Sequence, residues 1–341
     1  MTILITGATG LVGRALTQSL LAQGTQVCVI TRRPHRVLEA FSAYSSQVLA
    51  FEWHPRTEPF PPEALEGVER VVHLMGEPIY GPANREQRQR VIASRRRATK
   101  RIAETLGRQK IHLILASSAS VYGFGAGPPV GESSAVRPPK DKLALALLGC
   151  EEEAEEIAAN GSTVTAVRFG MVIAPGGFPE QLRRLHASGF TWRSPHQDAV
   201  IPAVDIADVI AVLGWLVRAR RVAGPLHVVA PEPLRSADLK ALLEEAVPRR
   251  LRVALPRLAL RRSIGALADV VHSRQQVVPQ RLLEYGYQFE RPNPLDSLHA
   301  VLAGRDMPPV EPSEPPTALH QAHHAQGRSL IGSVLQRAER A

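Results

Sequence analysis

Three glycines near the start of the chain have a spacing that can hold a phosphate group. Gly7, Gly10 and Gly13 follow residues 1–6, which predict a buried strand, and precede residues 14–23, which predict an amphipathic helix. We expect Gly7 to permit the tight turn, Gly10 to let the backbone approach a pyrophosphate, and Gly13 to let helix and strand pack closely. The positive end of the helix would face the phosphates. An ordinary glycine-rich turn is the alternative, and we favour a dinucleotide site over it.

Two arginines follow the second predicted strand. Residues 26–30 predict that strand, and Arg32 and Arg33 come directly after Thr31. An acidic residue at this place would bind the ribose 2′-hydroxyl of NAD, whereas a guanidinium group matches the 2′-phosphate of NADP. The sequence therefore favours NADP (NADPH) over NAD, with Arg32 as the first candidate and Arg33 as the second. Two solvated loop arginines are the alternative.

Hydroxyl groups follow the fifth predicted strand, residues 111–116. Ser117 and Ser118 come at its carboxyl end, where the side chains of a parallel sheet stand in the ligand crevice. The fourth predicted strand, residues 70–74, is followed by Gly76 at the same edge. These positions suit contacts with a cofactor or a substrate oxygen, and serines that only form a turn are the alternative.

Strand-like and helix-like segments alternate through the first two thirds of the chain. The alternation predicts an α/β fold with a Rossmann-type, doubly wound parallel sheet, a small, mostly helical C-terminal lobe and a flexible tail. Further predicted strands are residues 47–51, 163–168 and 225–230, and the longer predicted helices are residues 85–106, 142–159 and 236–247. We predict an NAD(P)-binding domain over residues 1–247 with substrate-lobe insertions after strand six, a small domain over 248–304, and a proline-rich linker and tail over 305–341.

Composition limits the function classes. The 341 residues are 44% hydrophobic and 21% charged, as in ordinary globular proteins, and the formal net charge of +9 favours acidic ligands or partners. No apolar run reaches membrane-spanning length, and no secretory leader is seen. The two cysteines, Cys28 and Cys150, are too few for a disulfide framework. We therefore expect a protein of the cytoplasm, or of an organelle stroma or matrix if a transit peptide was removed.

Several motifs along residues 1–302 together resemble one family. Besides the glycine turn and Arg32, they are Trp53-His54-Pro55, Gly76-Glu77-Pro78-Ile79, Ser94-Arg95, residues 117–123, Arg168-Phe169-Gly170, Ala230-Pro231-Glu232-Pro233 and residues 279–289. In this combination the chain resembles the extended short-chain dehydrogenase/reductase superfamily, in an epimerase-family branch with a small C-terminal domain of unknown function. The resemblance implies a Rossmann fold, a nicotinamide cofactor, and chemistry like that of reductases or sugar-nucleotide epimerases.

The resemblance also implies roles for individual residues. Ser118 corresponds to the active-site hydroxyl that binds the substrate oxygen, and Tyr122 to a structural tyrosine near the substrate pocket. The positions assigned to the cofactor are Thr6, Gly7, Thr9, Gly10, Leu11, Val12, Gly13, Arg32, Arg33, Leu74, Met75, Gly76, Ser117, Arg168 and Gly170. No metal site is predicted.

The chain departs from the family at its proton-transfer group. The superfamily's Tyr-x-x-x-Lys pair, on the helix after strand five, is absent, and Cys150-Glu151 stands where the branch has Trp-Glu. The branch's aromatic-x-His element before Asp205 is replaced by Ile201-Pro202-Ala203. The candidate proton carriers that remain are Glu151, Ser118, His196 and Asp198.

Two function classes therefore stay open. One is an NADP(H)-binding oxidoreductase or epimerase of unassigned substrate, which the retention of Ser118 favours. The other is a non-catalytic NADP-binding scaffold or redox sensor that engages a protein partner, which the missing tyrosine and lysine favour.

Three further segments bear on partners. The arginine-rich helix over residues 85–101 has no interleaved aromatic residues, so we favour a solvated face over nucleic-acid binding, with the helix or the C-terminal tail as the candidate surface for a protein partner. In the tail, His320, His323 and His324 have helical spacing, for which we favour adventitious metal binding. Residues 174–198 predict a long polar loop, either a lid over substrate or a surface insertion.

Overall fold

A seven-stranded parallel sheet forms the centre of the protein. The computed structural model describes residues 1–77, 85–106, 110–136, 141–193, 196, 199–218, 222–248 and 251–305. The strands are β1 (Thr2–Thr6), β2 (Gln26–Thr31), β3 (Val48–Glu52), β4 (Val68–His73), β5 (His112–Ser118), β6 (Thr163–Phe169), β7 (Met171–Ile173), β8 (Phe190–Trp192), β9 (Val200–Ile201), β10 (Ala203–Asp205), β11 (Gly224–Val228), β12 (Leu234–Arg235) and β13 (Val253–Leu255). The central sheet has the order β11-β6-β5-β4-β1-β2-β3.

Helices cover both faces of this sheet, as the predicted doubly wound fold requires. They are α1 (Leu11–Ala22), α2 (Pro34–Ala40), α3 (Arg85–Leu106), α4 (Lys142–Glu155), α5 (Phe178–Ala187), α6 (Ile206–Arg218), α7 (Ser236–Ala246), α8 (Arg257–Ile264), α9 (Leu267–Val270), α10 (Gln280–Glu284) and α11 (Pro294–Leu302). A 3-10 helix, Ala119–Tyr122, follows β5, and another, Glu156–Asn160, extends α4 as far as Gly161, whose φ of +86° ends it. No helix in the described ranges is long and apolar enough to cross a membrane.

The strand order reverses at β1, which places a crevice at the carboxyl edge of the sheet. β1 pairs with β2 on one side and with β4 on the other, and Thr6 is aligned with both Ile30 and His73. Because the chain moves outward in opposite directions from this point, the loops after β1 and β4 separate and leave room for a ligand. The sheet thus positions the glycine turn, the end of β4 and the end of β5 next to one another.

Alternation along the strands produces two separate cores. Ile3 and Ile5 of β1 pack on one face with helices α1 and α6, while Leu4 packs on the other face with α3 and α4. Helix α1 matches this pattern, because Leu16 and Leu20 are buried on the side of the helix that faces the sheet. Cys28 lies in the second core, and neither it nor Cys150 forms a disulfide.

A third core forms a lobe beyond the sheet. It joins β7, β10, α5, α7, α8, α9 and α11. The prediction of a long polar loop over residues 174–198 is wrong, because the chain forms α5 and β8 there. Phe178, Leu182 and Leu185 recur at helical spacing and are buried, and Trp192 is fully buried. The lobe also contains β13, which pairs in parallel with β8 in a region where helices and turns are predicted.

This lobe draws its core from both sides of the domain boundary that we predict at residue 247. Leu182 and Leu239 precede the boundary, while Leu260, Leu267 and Leu298 follow it. The boundary itself stays a prediction. The tail histidines, His320, His323 and His324, lie outside the described residues.

Candidate active site

The glycine turn has the geometry that its spacing predicts. Gly7 has φ +76°, a left-handed conformation that favours glycine, and a Cβ there would stand 3.0 Å from the backbone of Leu74. A Cβ on Gly13 would stand 2.1 Å from the Gly7 carbonyl oxygen, so only glycine lets α1 approach the turn this closely. At Gly10 the nearest atom would be the same oxygen at 3.3 Å. Gly10 is therefore the member of the trio where a Cβ would make the mildest contact, although that contact is still tight.

The first turn of α1 presents N–H groups at this crevice. Gly10 is the N-cap residue and makes no side-chain capping bond, and its carbonyl accepts the N–H of Arg14 at 2.8 Å. The N–H groups of Leu11, Val12 and Gly13 precede the first helical bond, and all three residues line a cavity. Such a helix start binds anions through free donors and the helix dipole.

One cavity, of about 750 Å³, extends from the glycine turn towards the ends of β2 and β3. Arg32 lines it, whereas Arg33 does not and instead precedes α2 as its N-cap residue. The cavity wall comprises Gly7, Ala8, Thr9, Gly10, Val29, Ile30, Thr31, Arg32, His54, Pro55, Arg56, Thr57, Leu74, Met75, Gly76, Glu77, Arg90, Ser94 and Arg97. Of the two arginines that the sequence offers, only Arg32 borders the space where a dinucleotide would lie.

Helix α3 contributes to this cavity, which its arginine-rich sequence does not indicate. Arg90, Ser94 and Arg97 follow one another at helical spacing and face the cavity, and Arg56 lies on the same wall. Arg90 is paired with Glu86 on its own helix. The favoured interpretation of a simply solvated face therefore does not describe this side of α3. Arg56 and Arg97 are thus candidates for cofactor binding that their surrounding sequence does not indicate.

The turn after β4 is held by the neighbouring residues of α3. Ser94 Oγ accepts the N–H of Glu77 at 3.1 Å, and Arg95 Nη1 donates to the Glu77 carbonyl at 2.9 Å. A Cβ on Gly76 would stand 2.7 Å from the Arg95 guanidinium carbon. The Ser94-Arg95 motif thus fixes residues 74–77, which form part of the wall of both cavities.

Thr6 supports the turn from below rather than lining a cavity. It is fully buried, and its Oγ1 lies 2.7 Å from His73 Nδ1, while Thr99 Oγ1 lies 3.3 Å from His73 Nε2. Burial, together with the charge of Arg95, lowers the pKa of His73 to about 4, so the ring is neutral near pH 7. His73 is thus the satisfied core histidine that its buried strand position predicts.

A second cavity, of about 550 Å³, lies on the other side of the glycine turn and contains the Ser118 hydroxyl. It shares Gly7, Gly10 and residues 74–77 with the first cavity, so the two join around the turn. Ser118 Oγ accepts the N–H of Ser120 at 3.2 Å, which leaves its own proton available for a ligand oxygen. Gly170 lies on the wall, and a Cβ there would stand 2.8 Å from the Pro202 carbonyl oxygen.

Helix α4 and the C-terminal lobe close the second cavity with apolar side chains. Leu143 and Leu147 are the α4 residues on its wall, and α9 contributes Leu267 and Val270. The lobe residues are far from Ser118 in sequence and carry no recognisable site motif. Tertiary packing alone brings them to the site.

Glu151, Arg168 and Ser117 form a buried network behind this cavity. Arg168 Nη2 donates to Glu151 Oε2 at 2.6 Å, Arg168 Nε donates to Oε1 at 3.1 Å, and Ser117 Oγ also donates to Glu151. Both charged side chains are less than a tenth exposed. The structure therefore places Glu151, one of the candidate proton carriers, in an ion pair with Arg168, and neither residue lines the first or the second cavity, whereas Ser117 lies on the wall of the second cavity.

The network continues through Tyr122 to His227 on the neighbouring edge strand β11. Arg168 Nη1 donates to the Tyr122 oxygen at 2.6 Å, and Tyr122 lies 2.9 Å from His227 Nε2. The Val278 carbonyl, 2.8 Å from His227 Nδ1, can only accept, so Nδ1 carries the ring proton and Tyr122 donates to Nε2. Burial lowers the pKa of His227 to about 4 and raises that of Tyr122. The single Tyr122 proton is thus committed to His227.

The remaining candidate proton carriers lie elsewhere. His196 lines a third cavity of about 950 Å³, together with Arg193, Arg257 and Arg261. Asp198 lies outside the described residues. Ser118 is therefore the one candidate among the described residues that faces the cavity next to the glycine turn.

Comparisons with known proteins agree with this architecture. The model of the "NAD dependent epimerase/dehydratase family" matches residues 3–191, and a domain of unknown function, DUF1731, matches residues 255–301. Epimerase family protein YfhF of Bacillus subtilis is 24% identical over 310 residues, covering 89% of this chain and 99% of that protein. The human epimerase family protein SDR39U1 is 26% identical over 318 residues, covering 89% and 100%.

Solved structures show the same fold. A crystal structure of human SDR39U1 (isoform 2) with NADPH has a TM-score of 0.68 at 23% identity and covers 89% of this chain and 99% of that one. MoeE5 in complex with UDP-glucose and NAD has a TM-score of 0.70 at 21% identity and covers 89% and 98%. With its family model spanning more than half of its length, this chain belongs to the NAD-dependent epimerase/dehydratase family.

Proposed function

We propose that this protein binds NADP(H) along the groove that the two cavities form, as a short-chain-reductase-like oxidoreductase or epimerase. The observation that carries the proposal is the groove itself. The glycine turn lies at its middle, a group of cationic side chains lies at one end, and the Ser118 hydroxyl lies at the other. A dinucleotide needs this order of contacts, with its pyrophosphate at the helix N-terminus.

The charges at the adenosine end favour NADP over NAD. Arg32, Arg56 and Arg97 line the first cavity, and NADP differs from NAD there by one added phosphate group. Guanidinium groups bind phosphate with paired hydrogen bonds, each stronger than a neutral one. The presence of NADPH in the human relative's structure supports this choice, although MoeE5 and other structural relatives contain NAD.

The other end of the groove suits the transfer of a hydride. When bound, the nicotinamide ring supplies or accepts that hydride. Ser118 would then hold the oxygen of the reacting carbon. The Glu151–Arg168 pair, together with Ser117, fixes the end of β5 so that Ser118 keeps its position.

A non-catalytic scaffold or redox sensor that engages a protein partner is the second candidate. It is favoured by Leu143 and Leu147, which put apolar side chains on the α4 wall of the cavity, and by the commitment of Glu151 to Arg168. The partner would contact the basic helix over residues 85–101 or the C-terminal tail. Partner capture that requires residues 306–341, combined with no turnover of any carbonyl compound in single-turnover assays, would favour this candidate.

A reducing compartment suits the two thiols. Burial raises the pKa of Cys28 to about 12 and also raises the pKa of Cys150, so both stay protonated and unreactive. We place the protein in the cytoplasm, or in an organelle stroma or matrix.

Substitution of the two neighbouring arginines tests the cofactor assignment. We expect Arg32→Glu to weaken NADPH binding by about tenfold to hundredfold, the range of one lost charged hydrogen bond, and to leave NADH binding within about twofold. Arg33→Glu is the matched control, since Arg33 lies outside the cavity lining. Equal losses in the two variants, or no loss in Arg32→Glu, would refute the 2′-phosphate assignment.

A further inference from the structure

The cavity beside Ser118 has a mostly apolar wall, which bears on the substrate of the proposed function. The apolar residues come from α4, from the end of β6 and from the lobe: Leu143, Leu147, Phe169, Met171, Leu267 and Val270. A sugar ring presents several hydroxyl groups, and each one that is desolvated without a hydrogen-bond partner weakens binding. An apolar molecule with one oxygen matches this wall better than a sugar does.

Charged side chains on the same wall are held by other protein groups. Asp141 caps α4 and accepts the N–H groups of Leu143 at 2.9 Å and Ala144 at 3.2 Å. Asp269 is paired with Arg257 at 2.7 Å and with Arg261 at 3.1 Å.

The two remaining charged residues of the wall lie on the cofactor side. Arg95 donates to the Glu77 carbonyl, and Glu77 itself belongs to both cavities. Uncharged polar side chains on the wall also include Ser120, Gln181 and Ser273, and among these groups we take the Ser118 hydroxyl as the donor for a substrate oxygen.

Helix α4 shows which carbonyl chemistry this site can support. In the superfamily a tyrosine and a lysine lie four positions apart on this helix. Here two residues four positions apart, Leu143 and Leu147, face the cavity. Among the described residues, no tyrosine or lysine lines the cavity. Reduction of an isolated ketone forms a strongly basic alkoxide and needs a proton donor at the oxygen.

A conjugated carbonyl compound avoids this requirement. Hydride added to its β-carbon moves the C=C electron pair towards the oxygen and forms an enolate, which is far less basic than an alkoxide. A hydrogen bond from a neutral hydroxyl can stabilise that oxygen, as in other sites for developing oxyanions. Water then supplies the proton to the α-carbon, without any side-chain acid on α4.

We propose that the cavity beside Ser118 takes apolar α,β-unsaturated carbonyl compounds and supports reduction of their C=C bond. In the overall balance, one hydride from NADPH goes to the β-carbon and one proton from water goes to the α-carbon, so the alkene is reduced and the cofactor is oxidised. The proposal rests on the proposed function, since it requires NADPH in the groove.

Binding of an unreactive mimic tests the site without turnover. para-Nitrophenol is planar, and its phenolate resembles the enolate. We expect it to bind the NADP-loaded full-length protein, and Ser118→Ala to weaken that binding by about tenfold, as expected when a hydrogen bond to a charged oxygen is lost. Leu143→Gln should also weaken it, whereas the matched control Leu145→Gln should not, because Leu145 lies on the exposed side of α4. UDP-glucose should not compete.

Turnover is then compared between cyclohexenone and cyclohexanone, which share ring size and carbonyl group. We expect NADPH oxidation with cyclohexenone at least about tenfold faster than with cyclohexanone, a difference of about 1.4 kcal/mol in the barrier. Deuteride from labelled NADPH should appear on the β-carbon of the product.

Three outcomes would overturn the inference. They are equal reduction of cyclohexenone and cyclohexanone, competition of UDP-glucose with para-nitrophenol, or NADPH binding without either binding of para-nitrophenol or reduction of cyclohexenone. A separate NADPH titration distinguishes these outcomes from failure of the proposed function, in which NADPH itself does not bind.

Discussion

Removal of one partner of the buried ion pair between Glu151 and Arg168 should destabilise the protein more than removal of one partner of a more exposed ion pair on the same helix. Both of its side chains are less than a tenth exposed, and Arg168 donates three hydrogen bonds to the Glu151 carboxylate. Replacing Glu151 by Gln leaves the guanidinium buried without a counter-charge. Loss of one partner of a buried pair costs about 3–5 kcal/mol, and because the Gln oxygen can still accept one bond we expect about 3 kcal/mol.

Glu153→Gln provides the matched control, because it makes the same substitution two residues away on α4. Glu153 pairs with Arg96 at 3.4 Å, and the Arg96 side chain is 57% exposed and the Glu153 side chain 24% exposed, against 7% and 6% for Arg168 and Glu151. Exposed pairs of this kind contribute about 0–1 kcal/mol. The two variants should therefore differ by about 2 kcal/mol or more in the free energy of unfolding, measured by chemical denaturation.

A double variant separates charge burial from packing. In Glu151→Leu/Arg168→Met both charges are removed together, and replacement of a buried pair by apolar residues of similar size is often close to neutral. We expect it to lose less stability than Arg168→Met alone, although Ser117 and Tyr122 then lack their partners. If Glu151→Gln and Glu153→Gln lose the same stability, the reasoning about the buried pair is refuted.

Three further predictions concern the glycine turn, the buried His227 and the Ser118 hydroxyl. Gly10→Ala should abolish NADPH binding while keeping the free energy of unfolding within about 1 kcal/mol. Gly13→Ala should also lower stability, by about 1–3 kcal/mol, because its Cβ would meet the Gly7 carbonyl oxygen. Equal stability of the two variants would contradict this. Burial lowers the pKa of His227 in the folded protein to about 4, below the usual value of 6.5. The stability that depends on the neutral ring is therefore present above pH 6.5 and is lost as the pH falls towards 4, by at most about 1.4 kcal/mol per pH unit. His227→Gln keeps a donor and an acceptor at that position and should show a smaller loss of stability between pH 6.5 and 4; an unchanged pH dependence would exclude this assignment. Ser118→Ala should leave NADPH affinity within about twofold and lower the rate of any carbonyl reduction by about a hundredfold or more, which is the loss seen on removal of one oxyanion donor. Full retained activity would show that Ser118 does not contact the reacting oxygen.

The local parts of the fold and site could be predicted from the sequence. Residues 1–23 contain strand, turn and helix in one continuous pattern, and the structure has β1, the Gly7 turn and α1 there. The alternation of strands and helices likewise predicted the parallel sheet, because each crossover forces the next strand into the same direction. Cys28 and His73 are buried, as residues of apolar strands are expected to be.

The parts that depend on tertiary packing could not be predicted. Arg97 reaches the first cavity only because α3 crosses the carboxyl edge of the sheet, and Leu267 reaches the second only because the lobe folds back over it. Glu151 was a candidate proton carrier in the sequence because its pairing with Arg168 of β6 arises only when the chain folds. Polar residues between Ala174 and Trp192 concealed the buried side of α5, whose apolar positions are few.

The groove is proposed to bind NADP through its extra phosphate. NADPH and NADH differ only at the 2′ position, so calorimetric titration of the full-length protein with each of them measures what that phosphate contributes to binding. We predict that NADPH binds at least about tenfold more tightly, a difference of about 1.4 kcal/mol or more. Equal affinities, or no binding of either cofactor, would contradict the account.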